Sequence, residues 1–352
     1  MRSIYYIEAA KLEDFLNQLR ENANVFVPRA KEESSEETDY SYQNLIPKAT
    51  FVFNPYRAIE PLKSFFTWPR DSVCDYFTQD KEIIQPQKAV IVGVKSCDLA
   101  GHRIQDFVFL EGAEVDSLYR LRRENTIIIS SDCTAFKQVC FCLALDIFPH
   151  PEEGFDLNLS PLNEGYLVEV GSAKGEGLLE EYAQYFIPAK DTQIVARSSK
   201  RKSLIERLKK HLLPQNIPAK EGLQALVKQG YGSSTWSEFM LTCVECGGCN
   251  LVCDTCHCFL LSERKEGKQH EKLKAWDSCL YANYARVAGG ANPLRTRSQR
   301  LRNRFTKKFD FFMDNLGLPA CCGCGRCIEV CPGKIDIREV LKDLDKKLHA
   351  KS

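Results

Sequence analysis

Seventeen cysteines stand among 352 residues, and eight of them fall into one pattern written twice. Cys243, Cys246, Cys249 and Cys253 are separated by two, two and three residues, and Cys321, Cys324, Cys327 and Cys331 repeat those gaps, with Pro332 following. Three closely spaced thiolates suit three irons of a [4Fe-4S] cubane, and the fourth, past a short turn, reaches a second cubane. The spacing therefore assigns Cys243, Cys246, Cys249 and Cys331 to cluster 1, and Cys321, Cys324, Cys327 and Cys253 to cluster 2. Gly247, Gly248, Gly323 and Gly325 let backbone amides approach sulfur closely, and such amides tune cluster potential. A structural zinc-binding interaction module is the competing reading. Four-Cys zinc sites pair two C-x-x-C knuckles well apart, which these compact runs do not match. One irregularity is that Asp254 follows Cys253 where the second copy has proline.

Removing those eight ligands from seventeen leaves nine cysteines. Cys74 and Cys322 read as incidental small hydrophobes. Cys97 follows the apolar run AVIVGV at 89–94, and Cys133, Cys140 and Cys142 follow a second run, TIIIS at 126–130. If the two runs are neighbouring parallel strands, four thiols meet at their C-terminal edge, a complete set for a third [4Fe-4S] cluster. Buried structural thiols are the alternative. Cys256, Cys258 and Cys279 form a further three-ligand group, which would need a fourth group or leave an iron open to substrate. That group sustains a catalytic alternative, a subunit reducing a sulfur compound or a disulfide. His257, between two of these cysteines, reads either as a support to the group or as structural. No nucleophile–base pair is evident, and GSAKGEG at 171–177 matches no nucleotide-binding pattern and reads as a turn.

The elements that must position these thiols follow from hydrophobic pattern. Residues 7–21 predict an amphipathic helix, and NVFVP at 24–28 a short strand. Residues 31–39 predict an acidic loop. The runs at 89–94 and 126–130 are unbroken, as in strands buried on both faces of a parallel sheet. Residues 98–108 predict a helix after the first, YLVEVGS at 166–172 another strand, and 199–213 a basic helix ended by Pro214 and Pro218. This predicts an α/β N-terminal domain with a partly parallel sheet at 1–230. A two-cluster ferredoxin-like (α+β) domain follows at 231–352, with a long insert at 254–320 and GYGSS (230–234) as the hinge.

Lys+Arg number 48 and Asp+Glu 47, so global charge gives no case for nucleic-acid binding. No apolar run has the length of a membrane span, and the N-terminus lacks a signal-peptide core. The expected location is cytoplasmic, where cysteines at this density point to metal rather than disulfides. Residues 295–308, RTRSQRLRNRFTKK, hold seven basic residues and no acid. They read as a solvated helix face, as charge balance for anionic clusters, or as a partner-docking surface on which Arg300 and Arg304 are the candidates.

Beyond its two cysteine runs, the sequence resembles the iron–sulfur beta subunit of cytosolic sulfhydrogenases and the A subunit of anaerobic sulfite reductases. The resemblance lies in VGVKSCDL around Cys97, FLEG at 109–112, Cys133 with CFC at 140–142, CDTCHC at 253–258, WDSC at 276–279, AGG at 288–290 and the Arg-rich run. It covers residue 90 to the end. It implies a non-catalytic electron relay within a hetero-oligomer of anaerobic metabolism. The implied partners are a flavoprotein subunit that exchanges electrons with NAD(P)H and carries the flavin, and a terminal reductase- or hydrogenase-type subunit.

Overall fold

The computed structural model describes residues 3–31, 38–47, 53–76, 87–267 and 269–350. Most of the predicted acidic loop, 32–37, lies outside them. The strands are β1 (Ile4–Glu8), β2 (Asn24–Ala30), β3 (Tyr40–Asn44), β4 (Arg70–Asp75), β5 (Ala89–Val94), β6 (Thr126–Ser131), β7 (Leu157–Pro161), β8 (Gly165–Val170), β9 (Ile187–Pro188), β10 (Phe259–Glu266) and β11 (Gln269–Trp276).

Eight of them form the larger of two sheets, in the order β3-β2-β5-β6-β7-β8-β1-β9. β2, β5, β6 and β7 run parallel, while β3, β8, β1 and β9 join antiparallel. The mixed sheet thus has its apolar β5 and β6 side by side at the centre, the arrangement the cysteine argument required. Helix Ala9–Leu19 covers one face. Its Leu12, Phe15, Leu16 and Leu19 recur at helical spacing and pack on Val25, Val90, Val92 and Ile129. Ile7, expected in this helix, lies in β1 instead. The other face holds Leu62, Phe66, Ile91, Phe109 and Ile128, with helix Ser96–Leu110 across it.

Two local expectations change. The segment GSAKGEG is largely helix, Ala173–Glu181, because Ser172 caps its N-terminus by accepting from Gly175 N. The helix after β5 starts two residues earlier than predicted. Cys97 falls in the first turn of helix Ser96–Leu110, where Asp98 Oδ2 accepts from Lys95 N.

A second core draws on both sides of residue 230. It joins Phe141, Leu145, Leu223, Leu226 and Val227 to Trp236, Phe305, Phe309, Val340, Leu341 and Leu344. The long insert also reaches back. Its hairpin β10–β11 pairs antiparallel with β4 from the N-terminal half, making a second sheet ordered β10-β11-β4. The cysteine runs are therefore held between an α/β layer, a helical core and this small sheet.

Candidate iron–sulfur centres

Each cysteine run ends in a short helix entered through a left-handed glycine. Gly247 has φ +72° before helix Gly248–Leu251, and Gly325 has φ +74° before Arg326–Glu329. Glycine adopts this conformation at little cost, and it turns each C-x-x-C loop back on itself. The result is two cavities. The first is lined by Cys243, Cys246, Cys249 and Cys331, and also by Cys327, with Leu280, Leu301 and Phe305 as apolar walls. The second is lined by Cys253, Cys321, Cys324 and Cys327, with Phe141 and Ile337. Three thiols of one run thus stand beside the last thiol of the other in both places, and Cys327 lines both cavities. Among the described residues, no three His, Cys, Asp or Glu side chains converge on a single-ion site. Cubane ligands, each bound to its own iron, have no need to do so.

The thiols sit in contrasting surroundings. Burial pushes Cys327 up to about 12 and Cys321 up to about 11. A hydrogen bond with Cys322, aided by Arg326 and Arg57, holds Cys324 down to about 6 against its burial.

The basic run explains part of this. Helix Arg297–Thr306 continues through a wide turn, Lys307–Phe311, and Arg300, Arg304 and Lys308 recur every fourth residue along one inward face. Arg304, 5% exposed, lines both cavities. Its Nε donates to Asn250 Oδ1 at 2.8 Å, while its buried Nη2 has no hydrogen-bond partner. Burial would weaken its charge, but the thiols of Cys249, Cys327, Cys256 and Cys253 keep the guanidinium well above its ordinary range. Lys308 Nζ donates to Cys253 Sγ at 3.3 Å, Thr255 Oγ1 at 2.7 Å and Ala320 O at 2.9 Å. A buried guanidinium with a free donor, between two four-thiol cavities, fits anionic clusters on both sides.

The docking role expected of Arg300 and Arg304 is corrected by the same geometry. Arg300 is 2% exposed and spends its donors on Leu280 O, Leu294 O, Arg295 O and the Glu245 carboxylate. It braces the first C-x-x-C loop from inside and offers no surface to a partner. Lys308 closes the basic run 295–308 but was not singled out within it, although its spacing of four from Arg304 was there to read.

Asp254, the residue in place of proline, ties the centres to the α/β domain. Its carboxylate accepts from Lys63 N and from Arg326 Nη1, both at 3.0 Å, and its carbonyl accepts from Gln105 Nε2 at 2.5 Å. Arg326 also pairs with Asp98 at 2.6 Å. All three charged side chains are at most 2% exposed.

The remaining cysteines separate by place. Cys97, Cys133, Cys140 and Cys142 gather beyond the ends of β5 and β6, alongside Cys324. Cys256 and Cys279 lie on either side of Asn250. Cys256 Sγ donates to Asn250 Oδ1 at 3.5 Å, and Asn250 Nδ2 donates to Cys279 Sγ at 3.2 Å. Cys258 hydrogen-bonds to Cys279, so these thiols are engaged with one another and with Asn250. Burial holds His257 down to about 4, which keeps it neutral. Cys322 is buried as expected, whereas Cys74 is exposed on β4. No helix among the described residues is long and apolar enough to cross a membrane.

A 4Fe-4S dicluster domain profile matches residues 242–335, the segment holding both cysteine runs and the insert. This match sets aside the zinc reading. Over 335 residues the chain is 30% identical to the sulfhydrogenase 2 subunit beta of Pyrococcus furiosus, covering 94% of this chain and 95% of that protein. The similarity thus extends well beyond the dicluster domain into the N-terminal region, and the chain belongs to the family of sulfhydrogenase beta subunits.

Proposed function

We propose that this chain is an iron–sulfur electron-transfer subunit of a cytoplasmic multi-subunit oxidoreductase. Cys243, Cys246, Cys249 and Cys331 would hold one [4Fe-4S] cluster, and Cys253, Cys321, Cys324 and Cys327 the other. Clusters of this type supply reversible one-electron storage at potentials set by charge, hydrogen bonding and exposure. The observation that carries this reading is Arg304, a single buried cation in the wall of both thiol cavities. The side chains around them keep water away: Leu280, Leu301 and Phe305 wall the first, and Phe141 and Ile337 the second.

The two sites differ in access. Cys246 is exposed, and next to it Leu241 and Val244 are 76% and 65% exposed. The second set is buried or nearly so. This apolar rim around the first site supports a role as the port facing a partner. The partners we propose are a flavoprotein subunit linked to NAD(P)H and a terminal reductase- or hydrogenase-type subunit, with this chain between them. The test is purification of the tagged full-length chain from its native host under anaerobic conditions. A flavin-containing subunit should accompany it, and NAD(P)H should reduce its clusters in the complex. Isolation of the chain alone, with turnover of a sulfur substrate by itself, would favour the catalytic alternative.

A further inference from the structure

The four thiols beyond β5 and β6 lie where two elements of the α/β domain abut the second cysteine run. Cys97 sits in the first turn after β5, and Cys133, Cys140 and Cys142 on the segment after β6. The strands are parallel neighbours, Ala89–Val92 facing Thr126–Ile129 in register, so both segments leave the sheet at one edge. The grouping is mutual. Cys133 is influenced by Cys140, Cys97 by Cys133, and Cys142 by both Cys140 and Cys133. Cys97 and Cys140 are 8% and 7% exposed.

The charges around this group are the second observation. Lys95 is fully buried, yet its Nζ donates only to neutral acceptors, Ser131 Oγ at 2.7 Å and Asp132 O at 3.2 Å. Arg57 is 2% exposed, and its Nη1 is buried without a hydrogen-bond partner. Of the carboxylates nearby, Glu329 pairs with Arg57, while Asp98 is committed to Arg326 and Asp132 to Arg201, which leaves Lys95 without one. Lys95, held out of water with neutral acceptors beside four neutral thiols, carries an uncompensated desolvation cost, and Arg57, although paired with Glu329, keeps one buried donor unused. Four thiolates around an anionic cluster would remove that cost. Buried structural thiols would explain the cysteines and leave the Lys95 charge and the free Arg57 Nη1 unexplained.

We infer that Cys97, Cys133, Cys140 and Cys142 form a third [4Fe-4S] site, charge-balanced by Lys95 and Arg57. The site adjoins the second ferredoxin-type site directly. Phe141 N donates to Gly323 O at 2.8 Å, and a Cβ on Gly323 would stand 2.5 Å from Cys142 Cα. No spacer separates them, so the electron path extends from the dicluster domain into the α/β domain. One electron leaving the second site would reduce the third, with no other reactant involved.

The test is iron and acid-labile sulfide analysis of the anaerobically prepared full-length chain, with EPR on the reduced protein. The wild-type chain should hold about twelve irons, and Cys140→Ser/Cys142→Ser about eight with both ferredoxin-type signals intact. About eight irons in the wild type would overturn the third site while leaving the dicluster reading in place. A double variant that keeps about twelve would overturn it too. Lys95→Met leaves every thiol in place and covers the case of a misfolded double variant. It should shift the midpoint of the third signal and spare the other two. A shift confined to the ferredoxin-type pair would overturn the assignment.

Discussion

Arg304 lies in the wall of both dicluster cavities, so replacing it with methionine should move both cluster potentials in one direction. A cation favours the reduced, more negative form of a neighbouring cluster, and removing it lowers the midpoint. With a separation on the order of 7 Å and an effective dielectric of about 20, one unit charge is worth about 2.4 kcal/mol, or about 100 mV. Methionine keeps most of the apolar stem, and the lost hydrogen bond to Asn250 is one of four that this Asn side chain makes. Arg304→Lys retains the charge and should retain most of each midpoint. Lys308→Met separates the two sites, because Lys308 lines only the second cavity. Its effect should fall mainly on the midpoint of cluster 2. The assay is an EPR-monitored redox titration of the anaerobic full-length chain. Midpoints of Arg304→Met that rise, or stay within about 20 mV of wild type with both clusters loaded, would refute this electrostatic role.

Three further perturbations have expected outcomes. Cys331→Ala should cost the cluster held mainly by Cys243, Cys246 and Cys249 and spare the other; loss of only the second run's cluster would refute the crossed assignment. Arg326→Met strands the buried carboxylates of Asp98 and Asp254 and should destabilise the chain by about 3–5 kcal/mol in denaturant titration; an unchanged midpoint would show that this pair does not hold the domains together. Gly323→Ala places a Cβ 2.5 Å from Cys142 backbone atoms at φ +62°. The strained backbone alone should cost about 1–3 kcal/mol, and unfolding at the wild-type denaturant concentration would contradict that close approach.

The sequence pattern revealed what depends on local order. Cysteine gaps marked the dicluster segment, and the unbroken runs at 89–94 and 126–130 marked adjacent buried strands, because apolarity on both faces is the signature of a parallel interior. What stayed hidden depends on contacts between distant residues. A charge run shows that Arg300 and Arg304 are basic and says nothing about which face is buried. Only the spacing of 300, 304 and 308 hinted at a shared side, and apolar companions such as Leu301 and Phe305 turn that side inward. The pairing of β11 with β4 joins segments about two hundred residues apart, and no local propensity specifies it. Asp254 looked like a missing proline because its partners, Lys63 and Arg326, come from either side in the chain. Lys95 and Arg57 were invisible as site residues for the same reason. Each is an ordinary basic residue until burial removes its water.

The most direct test of a paired-cluster relay is the EPR spectrum of the full-length chain, reduced anaerobically in steps. Two [4Fe-4S] centres in neighbouring cavities sharing one wall residue should give a narrow signal early in the titration. On full reduction of the Cys140→Ser/Cys142→Ser chain it should broaden into a spin-coupled spectrum integrating to about two spins per chain. Two unbroadened signals that simply add, or a colourless protein that loads zinc in place of iron, would contradict it.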